Sequence, residues 1–158
     1  MSMGMFGTIL YCTDFSATAD RAFDYALNLT ETYGSTLVIL HATYHPVYPV
    51  LAEPYVMSQA VEHAEGRLRQ DAEEEIRRRY VPRLPAQHPH DILVRSGTPA
   101  QEILQVIRQR GVNLVVMGAR GRSPIELLMF GSVAQRVVRR SPVPVLTVSE
   151  RTSDGLTR

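Results

Sequence analysis

Five short, mainly apolar segments recur along the chain. They lack the alternation of polar and apolar residues that a half-exposed strand shows, and they occupy residues 8–12, 36–40, 91–94, 114–117 and 145–148. Unbroken apolar runs of this length are typical of strands that are buried on both faces of a sheet. Pro142 and Pro144 flank the start of the fifth segment, and proline beside a strand predicts that this strand lies at a sheet edge.

Two segments with apolar residues at helical spacing lie in the first half of the chain. The first follows the turn and capping residues 13–16, and Gly34 is placed to end it. The second ends before Pro82 and carries an apolar stripe of Val61, Ala64, Leu68, Ala72 and Ile76. The proline- and tyrosine-rich residues 43–57, which precede this second helix, predict an irregular loop or lid.

Two further helices are predicted in the second half of the chain. The third helix begins at a capping box formed by residues 98–101, with Pro99 at its first position, and ends at Gly111. The fourth strand is followed by a loop over residues 118–130, and the fourth helix then runs from about Ser132 to Arg140. Every predicted strand but the last is thus followed by a helix.

Strands that alternate with helices predict an α/β fold: a single-domain, open, five-stranded, mostly parallel sheet with helices on both faces. The length of 158 residues suits one domain, and we assign residues 1–150 to it and residues 151–158 to a polar tail. Ligands of such folds bind beyond the carboxyl ends of the strands. That rule selects Thr13-Asp14, His41-Ala42 and Met117-Gly118 before any motif is considered.

The amino-acid composition excludes several classes of binding and catalytic site. All 17 basic residues are arginine, which excludes the phosphate-binding lysine of P-loop proteins, a Schiff-base lysine and a pyridoxal phosphate site. The one cysteine, Cys12, excludes an intrachain disulfide and favours a reducing compartment. The formal net charge of +1 gives no indication of a nucleic-acid or membrane partner. Phosphate contacts would have to come from backbone amides, hydroxyls or arginine.

The strongest motif is Gly118-x2-Gly121-x9-Gly131-Ser132. Gly118 would keep a side chain out of a ligand's path at the end of a strand, and Gly121 would permit a positive φ and close backbone contact. Gly131 and Ser132 open a helix whose free amides suit a phosphate, and Arg120 and Arg122 would add charge-assisted bonds. The same pattern also fits a plain strand–loop–helix connection in which Gly131-Ser132 caps the helix.

These residues resemble those of the universal stress protein family, in its ATP-binding branch. The similarity runs from about residue 7 to residue 149, over the segments Ile9–Ser16, Leu40–Ala42, Gly97–Ala100, Gly118–Ser132 and Pro142–Val145. The resemblance implies a Rossmann-like fold of the adenine nucleotide alpha-hydrolase type. Two departures are Cys12, where ATP-binding members usually carry proline, and the unusual composition of residues 43–57.

The resemblance also implies the roles of individual residues. Asp14, beside Thr13, would lie near the adenosine, and Ala42 would contact adenine through its backbone. The ribose and phosphates would be lined by Met117, Gly118, Arg120 and Gly121, and the phosphates would be held at the helix start by Gly131, Ser132 and Val133. A magnesium ion would accompany the phosphates, with no confident protein side-chain ligand. A homodimer would form through the strand Val145–Val148.

The expected function is that of a cytoplasmic regulatory module that binds ATP or another adenine nucleotide and acts in the stress response. No base–nucleophile pair is visible and no lysine could balance charge on a transferred phosphate, so slow or no hydrolysis is expected. Two alternatives stay open. One is a dimeric stress or interaction module that binds no nucleotide, and the other is a related enzyme that hydrolyses adenine nucleotides.

Several polar residues have simpler structural interpretations. Asp14 alone would also fit a helix cap. His41 fits a hydrogen-bonded structural histidine better than a base, and His88 and His90 lack the further ligands of a zinc site. Cys12 has no basic neighbour that would activate its thiol. The run of arginines at 77–79 follows three glutamates and predicts ion pairs on a solvated helix.

Overall fold

The computed structural model of the protein describes residues 5–44, 54–121 and 130–149, and for residues 54–60 it describes the backbone alone. Within these ranges the elements follow one another as β1 Thr8–Thr13, α1 Ala17–Tyr33, β2 Thr36–Thr43, α2 Pro54–Arg79, a 3₁₀ turn Val81–Arg83, β3 His90–Ser96, α3 Pro99–Gln109, β4 Leu114–Gly118, α4 Ser132–Arg140 and β5 Val145–Val148. All five strands and four α-helices of the sequence prediction are present.

The five strands form one sheet in the order β3-β2-β1-β4-β5, and every pair of neighbours is parallel. The predicted α/β class is therefore confirmed, and the sheet is wholly parallel where the sequence predicted a mostly parallel one. The position of β5 at an edge, predicted from its flanking prolines, is also confirmed. Successive strands are added on one side of β1 as far as β3 and then on its other side from β4 onwards. The carboxyl ends of β1 and β4 are therefore the topological switch point of the sheet.

Helices cover both faces of the sheet, and each face has its own core. Successive residues of β1 point to opposite faces, so that Ile9 and Tyr11 enter one core while Leu10 and Cys12 enter the other. The first core is closed by buried residues of α1 and α2, and the second by buried residues of α3 and α4. Burial on both faces explains why the strands show no alternation of polar and apolar residues.

The prediction of an irregular loop over residues 43–57 is wrong at both ends. Thr43 is the last residue of β2, and α2 already begins at Pro54. Proline suits the first turn of a helix because its missing N–H would have no intrahelical partner there. The remaining part of that prediction, residues 45–53, lies outside the described residues.

The apolar stripe predicted along α2 is buried only near its end. Ala72 and Ile76 are buried, but Val61 and Leu68 are 47% and 45% exposed. The 26 residues of α2 span about 39 Å, whereas the seven residues of the neighbouring β3 span roughly 23 Å. The helix is therefore longer than the strand beside it, and part of its stripe has no strand to cover among the described residues.

The helix ends show which capping signals the fold uses. Ser16 caps α1 by accepting a hydrogen bond from the Ala19 amide, and Gly34 ends the helix with a left-handed φ of 63°. The capping box predicted for α3 is wrong, because the Thr98 side chain makes no capping hydrogen bond. The Gln101 amide donates to the Thr98 carbonyl instead, at 2.9 Å.

None of the helices in the described ranges combines the length and apolar character needed to cross a bilayer.

Candidate functional site

A cavity of about 360 Å³ opens at the carboxyl ends of β1, β2 and β4. Ten of the predicted site residues line it: Thr13, Asp14, Ala42, Met117, Gly118, Arg120, Gly121, Gly131, Ser132 and Val133. The eleventh, Arg122, lies outside the described residues. The cavity therefore forms at the place that the topology of the sheet selects, and it brings the two separated sequence motifs together.

Asp14 is held by the turn between β1 and α1. Its Oδ1 accepts a hydrogen bond from the Ser16 amide at 3.0 Å, and the Thr13 hydroxyl accepts one from the Phe15 amide at 3.0 Å. Phe15 itself has a φ of 62°, a left-handed conformation that costs a non-glycine residue roughly 1–2 kcal/mol. Since Ser16 is the residue that caps α1, the capping interpretation of Asp14 is wrong, and the Asp14 carboxylate lies at the cavity.

Gly121 makes room for the second oxygen of this carboxylate. A Cβ atom on Gly121 would lie 2.8 Å from Asp14 Oδ2, a distance that requires one of the two to move. The predicted positive φ is wrong, because the φ of Gly121 lies outside the left-handed region. Glycine is needed here for close approach, and the glycine motif and the aspartate turn therefore fit together as one structure.

Gly118 is a glycine because of packing against α1 rather than to give a ligand access. A Cβ atom there would lie 3.1 Å from the Ala19 amide nitrogen and 3.2 Å from the Arg120 carbonyl oxygen. The first turn of α1 thus packs directly on the end of β4, and the reason predicted from the sequence is corrected accordingly. Gly118 still lines the cavity, which it reaches through its backbone.

The amino terminus of α4 presents to the cavity backbone amides that have no hydrogen-bond partner among the described residues. The first amide to donate within the helix is that of Gln135, which bonds the Gly131 carbonyl at 3.0 Å, and no side chain caps the helix. The three preceding residues, Ser132, Val133 and Ala134, all line the cavity. Free amides at a helix start carry partial positive charge and bind phosphate well.

Gly131 fixes the distance between this helix and the opposite side of the cavity. Its amide donates to the Ala119 carbonyl at 2.7 Å, which ties the start of α4 to the end of β4. A Cβ atom on Gly131 would lie 3.3 Å from the Gly121 amide nitrogen. Residues 122–129 lie outside the described residues, and Gly121 and Gly131, on either side of them, lie close together.

The rest of the cavity wall is apolar, and much of it was not predicted as part of the site. The additional residues are Cys12, Ala19, Leu40, Pro99, Ile103, Ala119 and Ala134. Cys12 and Leu40 directly precede predicted residues at strand ends, so the strand pattern could have identified them. Pro99 and Ile103 belong to α3 and reach the cavity only by tertiary packing, which no local pattern reveals.

Cys12 is a neutral packing residue of this wall. It is 7% exposed, and burial raises the pKa of its thiol well above the usual range. A thiol that stays protonated at neutral pH is a poor nucleophile. The prediction that Cys12 is a buried small residue is confirmed.

His41 supports the aspartate turn from β2. Its Nδ1 donates a hydrogen bond to the Thr13 carbonyl oxygen at 2.8 Å, and its ring lies 4.4 Å from that of Phe15. Both contacts hold the segment that carries Asp14. The structural interpretation of His41 is therefore confirmed.

A buried chain of hydroxyl groups links the same turn to the end of α2. The Tyr80 hydroxyl donates to Asp20 Oδ1 at 2.6 Å and accepts from the Thr13 hydroxyl at 2.8 Å. Burial, together with the hydrogen bond to Asp20, raises the pKa of Tyr80 to about 12. Arg79 lies beside it, and its Nη1 donates to the Phe15 carbonyl oxygen at 3.3 Å. Sequence reasoning missed this support, because its members are up to 67 residues apart.

The other candidate residues lie away from the cavity. His90 starts β3, at the amino end of the sheet, and bonds the His88 carbonyl at 2.8 Å. The described residues contain no group of three or more histidine, cysteine, aspartate or glutamate side chains that could hold a metal ion. In the arginine run, Arg78 and Arg79 both pair with Glu75, as predicted, and these bonds lower the pKa of Glu75.

A family model described as the universal stress protein family matches residues 5–149. This chain belongs to the universal stress protein family. A universal stress protein of Thermus aquaticus is 36% identical, covering 91% of this chain and 99% of its own. The universal stress protein MJ0577 of Methanocaldococcus jannaschii is 26% identical, covering 94% and 98%.

Solved structures agree with the family assignment. The structure of MJ0577 has a TM-score of 0.73 and 25% identity, and the match covers 94% of this chain and 99% of that one. The universal stress protein UspA of Lactobacillus plantarum has a TM-score of 0.64 at 24% identity, covering 89% and 96%. The five-stranded parallel sheet of this chain is thus the fold of its family.

Proposed function

We propose that this universal stress protein binds an adenine nucleotide, with ATP as the ligand, in the cavity at the ends of β1 and β4. One observation carries the proposal: the amides of Ser132, Val133 and Ala134, which have no partner in the described part of the chain, line the same cavity as an apolar wall and the Asp14 carboxylate. A base needs an apolar slot, ribose hydroxyls need an acceptor, and phosphates need donors. The cavity offers all three.

Each part of the nucleotide has a matching region in the proposed complex. The adenine would lie against Leu40, Ala42 and Ile103, with the Ala42 backbone available for hydrogen bonds. The Asp14 carboxylate would accept from the adenosine. The phosphates would lie at the start of α4, where Arg120 adds a positive charge. Another universal stress protein was solved in complex with cAMP, which shows that an adenine nucleotide is a ligand of that protein.

Magnesium would be carried by the phosphates in this proposal. The carboxylate that lines the described part of the cavity is that of Asp14, which the proposal already assigns to the adenosine. The described residues contain no group of three or more histidine, cysteine, aspartate or glutamate side chains that could hold a metal ion, so phosphate oxygens and water would supply the ligands of the ion. The ion would neutralise phosphate charge.

Hydrolysis would be slow or absent. The charged side chains that line the described part of the cavity are Asp14 and Arg120. Asp14 already accepts the Ser16 amide, and neither side chain is paired with a second group that would activate water. We therefore infer a regulatory module of the cytoplasmic stress response, one that signals through its bound state.

A homodimer through β5 completes the proposal. β5 pairs with β4 on one side, and its other edge has no strand partner among the described residues. An unpaired edge is a template for a second chain. The same edge favours the alternative function, a dimeric interaction module that binds no nucleotide. Analytical ultracentrifugation that shows a dimer of the 17.7 kDa chain would agree with both functions. A nucleotide-binding measurement is therefore needed to distinguish the two functions.

Titration with ATP and magnesium tests the proposed function. Gly131→Val would place a branched side chain 3.3 Å from the Gly121 amide and should abolish binding. Gly66→Val is the matched control, because a Cβ atom on Gly66 meets nothing within 4 Å. Binding that survives in Gly66→Val and disappears in Gly131→Val supports the proposal. If the wild-type protein binds no adenine nucleotide at millimolar concentration, the proposal fails and the dimeric interaction module becomes the favoured function.

A further inference from the structure

A groove lined by arginine side chains runs along the outer face of α4. Ser132, Gln135, Arg136, Arg139 and Arg140 line a second cavity of about 530 Å³. Their spacing of three and four residues places them on one side of the helix, while Ala134 and Val137 face the core. Three positive charges thus share one exposed stripe, which we call the arginine groove.

The charges of the arginine groove are uncompensated. Within the described part of the chain, no carboxylate lies at ion-pair distance from Arg136, Arg139 or Arg140, and α4 contains no acidic residue. Five arginines elsewhere, Arg69, Arg78, Arg79, Arg83 and Arg110, pair with a carboxylate. Other arginines without an ion pair among the described residues, such as Arg108, do not share a cavity with two further arginines as these three do. The groove therefore has positive charge available for a ligand.

The helix dipole explains only part of this arrangement. Arg139 and Arg140 lie in the last turn of α4, where positive charge is favourable in any helix. Arg136 is the central residue of the nine-residue helix, outside the last turn in which the dipole gives this advantage. Its charge faces the groove without a structural partner among the described residues.

The groove begins where the nucleotide cavity ends. Ser132 lines both cavities. Arg136 lies one helical turn further along, at an axial rise of about 6 Å. A phosphate chain whose first groups lie at the start of α4 would bring its outer groups towards the Arg136 guanidinium. The charged groups at this junction are Asp14 and Arg120 on the cavity side and the three arginines on the groove side.

We propose that the arginine groove binds the outer phosphates of the nucleotide and makes the protein select ATP over AMP. The inference rests on the proposed function and adds to it the length of the phosphate chain. Guanidinium groups form strong, charge-assisted bonds with phosphate oxygens. AMP, with one phosphate, would occupy the cavity without reaching the groove.

Calorimetric titration of AMP and of ATP with the same variants tests this selection. Arg136→Gln should weaken ATP binding about tenfold, the loss of one charge-assisted hydrogen bond, and change AMP binding less than twofold. Arg136→Gln/Arg139→Gln should weaken ATP further. Arg108→Gln is the control, since it removes one exposed arginine charge from α3 and should change neither affinity.

Equal loss of AMP and ATP affinity in Arg136→Gln, or an equal effect of Arg108→Gln, would overturn the selection. If the wild-type protein binds neither ATP nor AMP, the proposed function fails, and inorganic tripolyphosphate then tests the groove by itself. Tripolyphosphate binding that the double variant loses would support the groove as a phosphate site. Absence of tripolyphosphate binding to the wild-type protein would overturn it.

Discussion

Asp14 and Gly121 show how two weak sequence signals become one site. Each has a plain explanation by itself, as a turn residue and a loop glycine. The structure places the Asp14 carboxylate in the space that a Gly121 side chain would fill. Sequence reasoning selected both residues and expected close backbone contact at Gly121, together with a positive φ that the glycine does not adopt. It could not show that Asp14 is the close neighbour, because the two residues are 107 positions apart and meet only in the folded chain.

Gly121→Ala should weaken ATP binding about tenfold without unfolding the protein. The new methyl group would displace the Asp14 carboxylate from its position at the cavity, since the two would otherwise lie 2.8 Å apart. Loss of one charge-assisted hydrogen bond gives an effect of this size. Calorimetric titration measures it, with Gly66→Ala as the control. Unchanged affinity in Gly121→Ala would contradict the role assigned to Asp14.

Tyr80→Phe should destabilise the fold by about 1–3 kcal/mol. The change leaves buried Thr13 and half-buried Asp20 without the hydroxyl that bonds both of them, and an unsatisfied buried partner costs this much. Urea denaturation measures the loss. Tyr25→Phe, at a tyrosine that is 49% exposed, should change the free energy of unfolding by less than about 0.5 kcal/mol. Equal effects would contradict the hydroxyl chain.

Stability should also fall at alkaline pH. The pKa of Tyr80 is about 12 in the folded protein against 10.0 for the free side chain, and burial raises that of Tyr11 as well. Between these values the unfolded chain binds fewer protons, so the free energy of unfolding declines as pH rises from 10 towards 12. Urea denaturation at pH 9 and pH 11 tests this. The decline should be smaller in Tyr80→Phe, and an identical decline would exclude Tyr80 as a source.

At the scale of elements, local pattern identified every strand and helix but not how far each extends. β2 runs to Thr43 and α2 starts at Pro54, because strand and helix ends depend on neighbours that sequence periodicity does not show. β3 supplies the partner for the last residues of β2, pairing Ser96 with Thr43. The apolar stripe on α2 predicted burial along the whole helix for a similar reason, since a period of 3.6 residues marks one face of a helix without showing what covers that face.

The buried and exposed positions of the α2 stripe should respond differently to substitution. Ile76→Ala should cost about 2–5 kcal/mol, because Ile76 is fully buried in the core beneath α1 and α2. Leu68→Ala should cost less than about 1 kcal/mol, since Leu68 is 45% exposed. Urea denaturation of both variants compares them directly. A large loss in Leu68→Ala would mean that the exposed part of the stripe packs on something in solution.

At the scale of the whole molecule, topology places the site. Parallel strands point their carboxyl ends to one edge, and the order β3-β2-β1-β4-β5 opens a crevice between β1 and β4. This much follows from alternating strands and helices, so fold and site location could be predicted from sequence. The contribution of α3 to the cavity wall, through Pro99 and Ile103, could not, because it depends on how that helix packs across the sheet.

The most direct test is mass spectrometry of the small molecule that freshly purified protein releases on denaturation. The wild-type protein should release ATP or another adenine nucleotide, and Gly131→Val should release none, because its side chain would enter the space between Gly131 and Gly121. An adenine nucleotide released equally by both proteins would contradict the proposed site. No adenine nucleotide from the wild-type protein, together with no response to added ATP and magnesium, would contradict nucleotide binding itself.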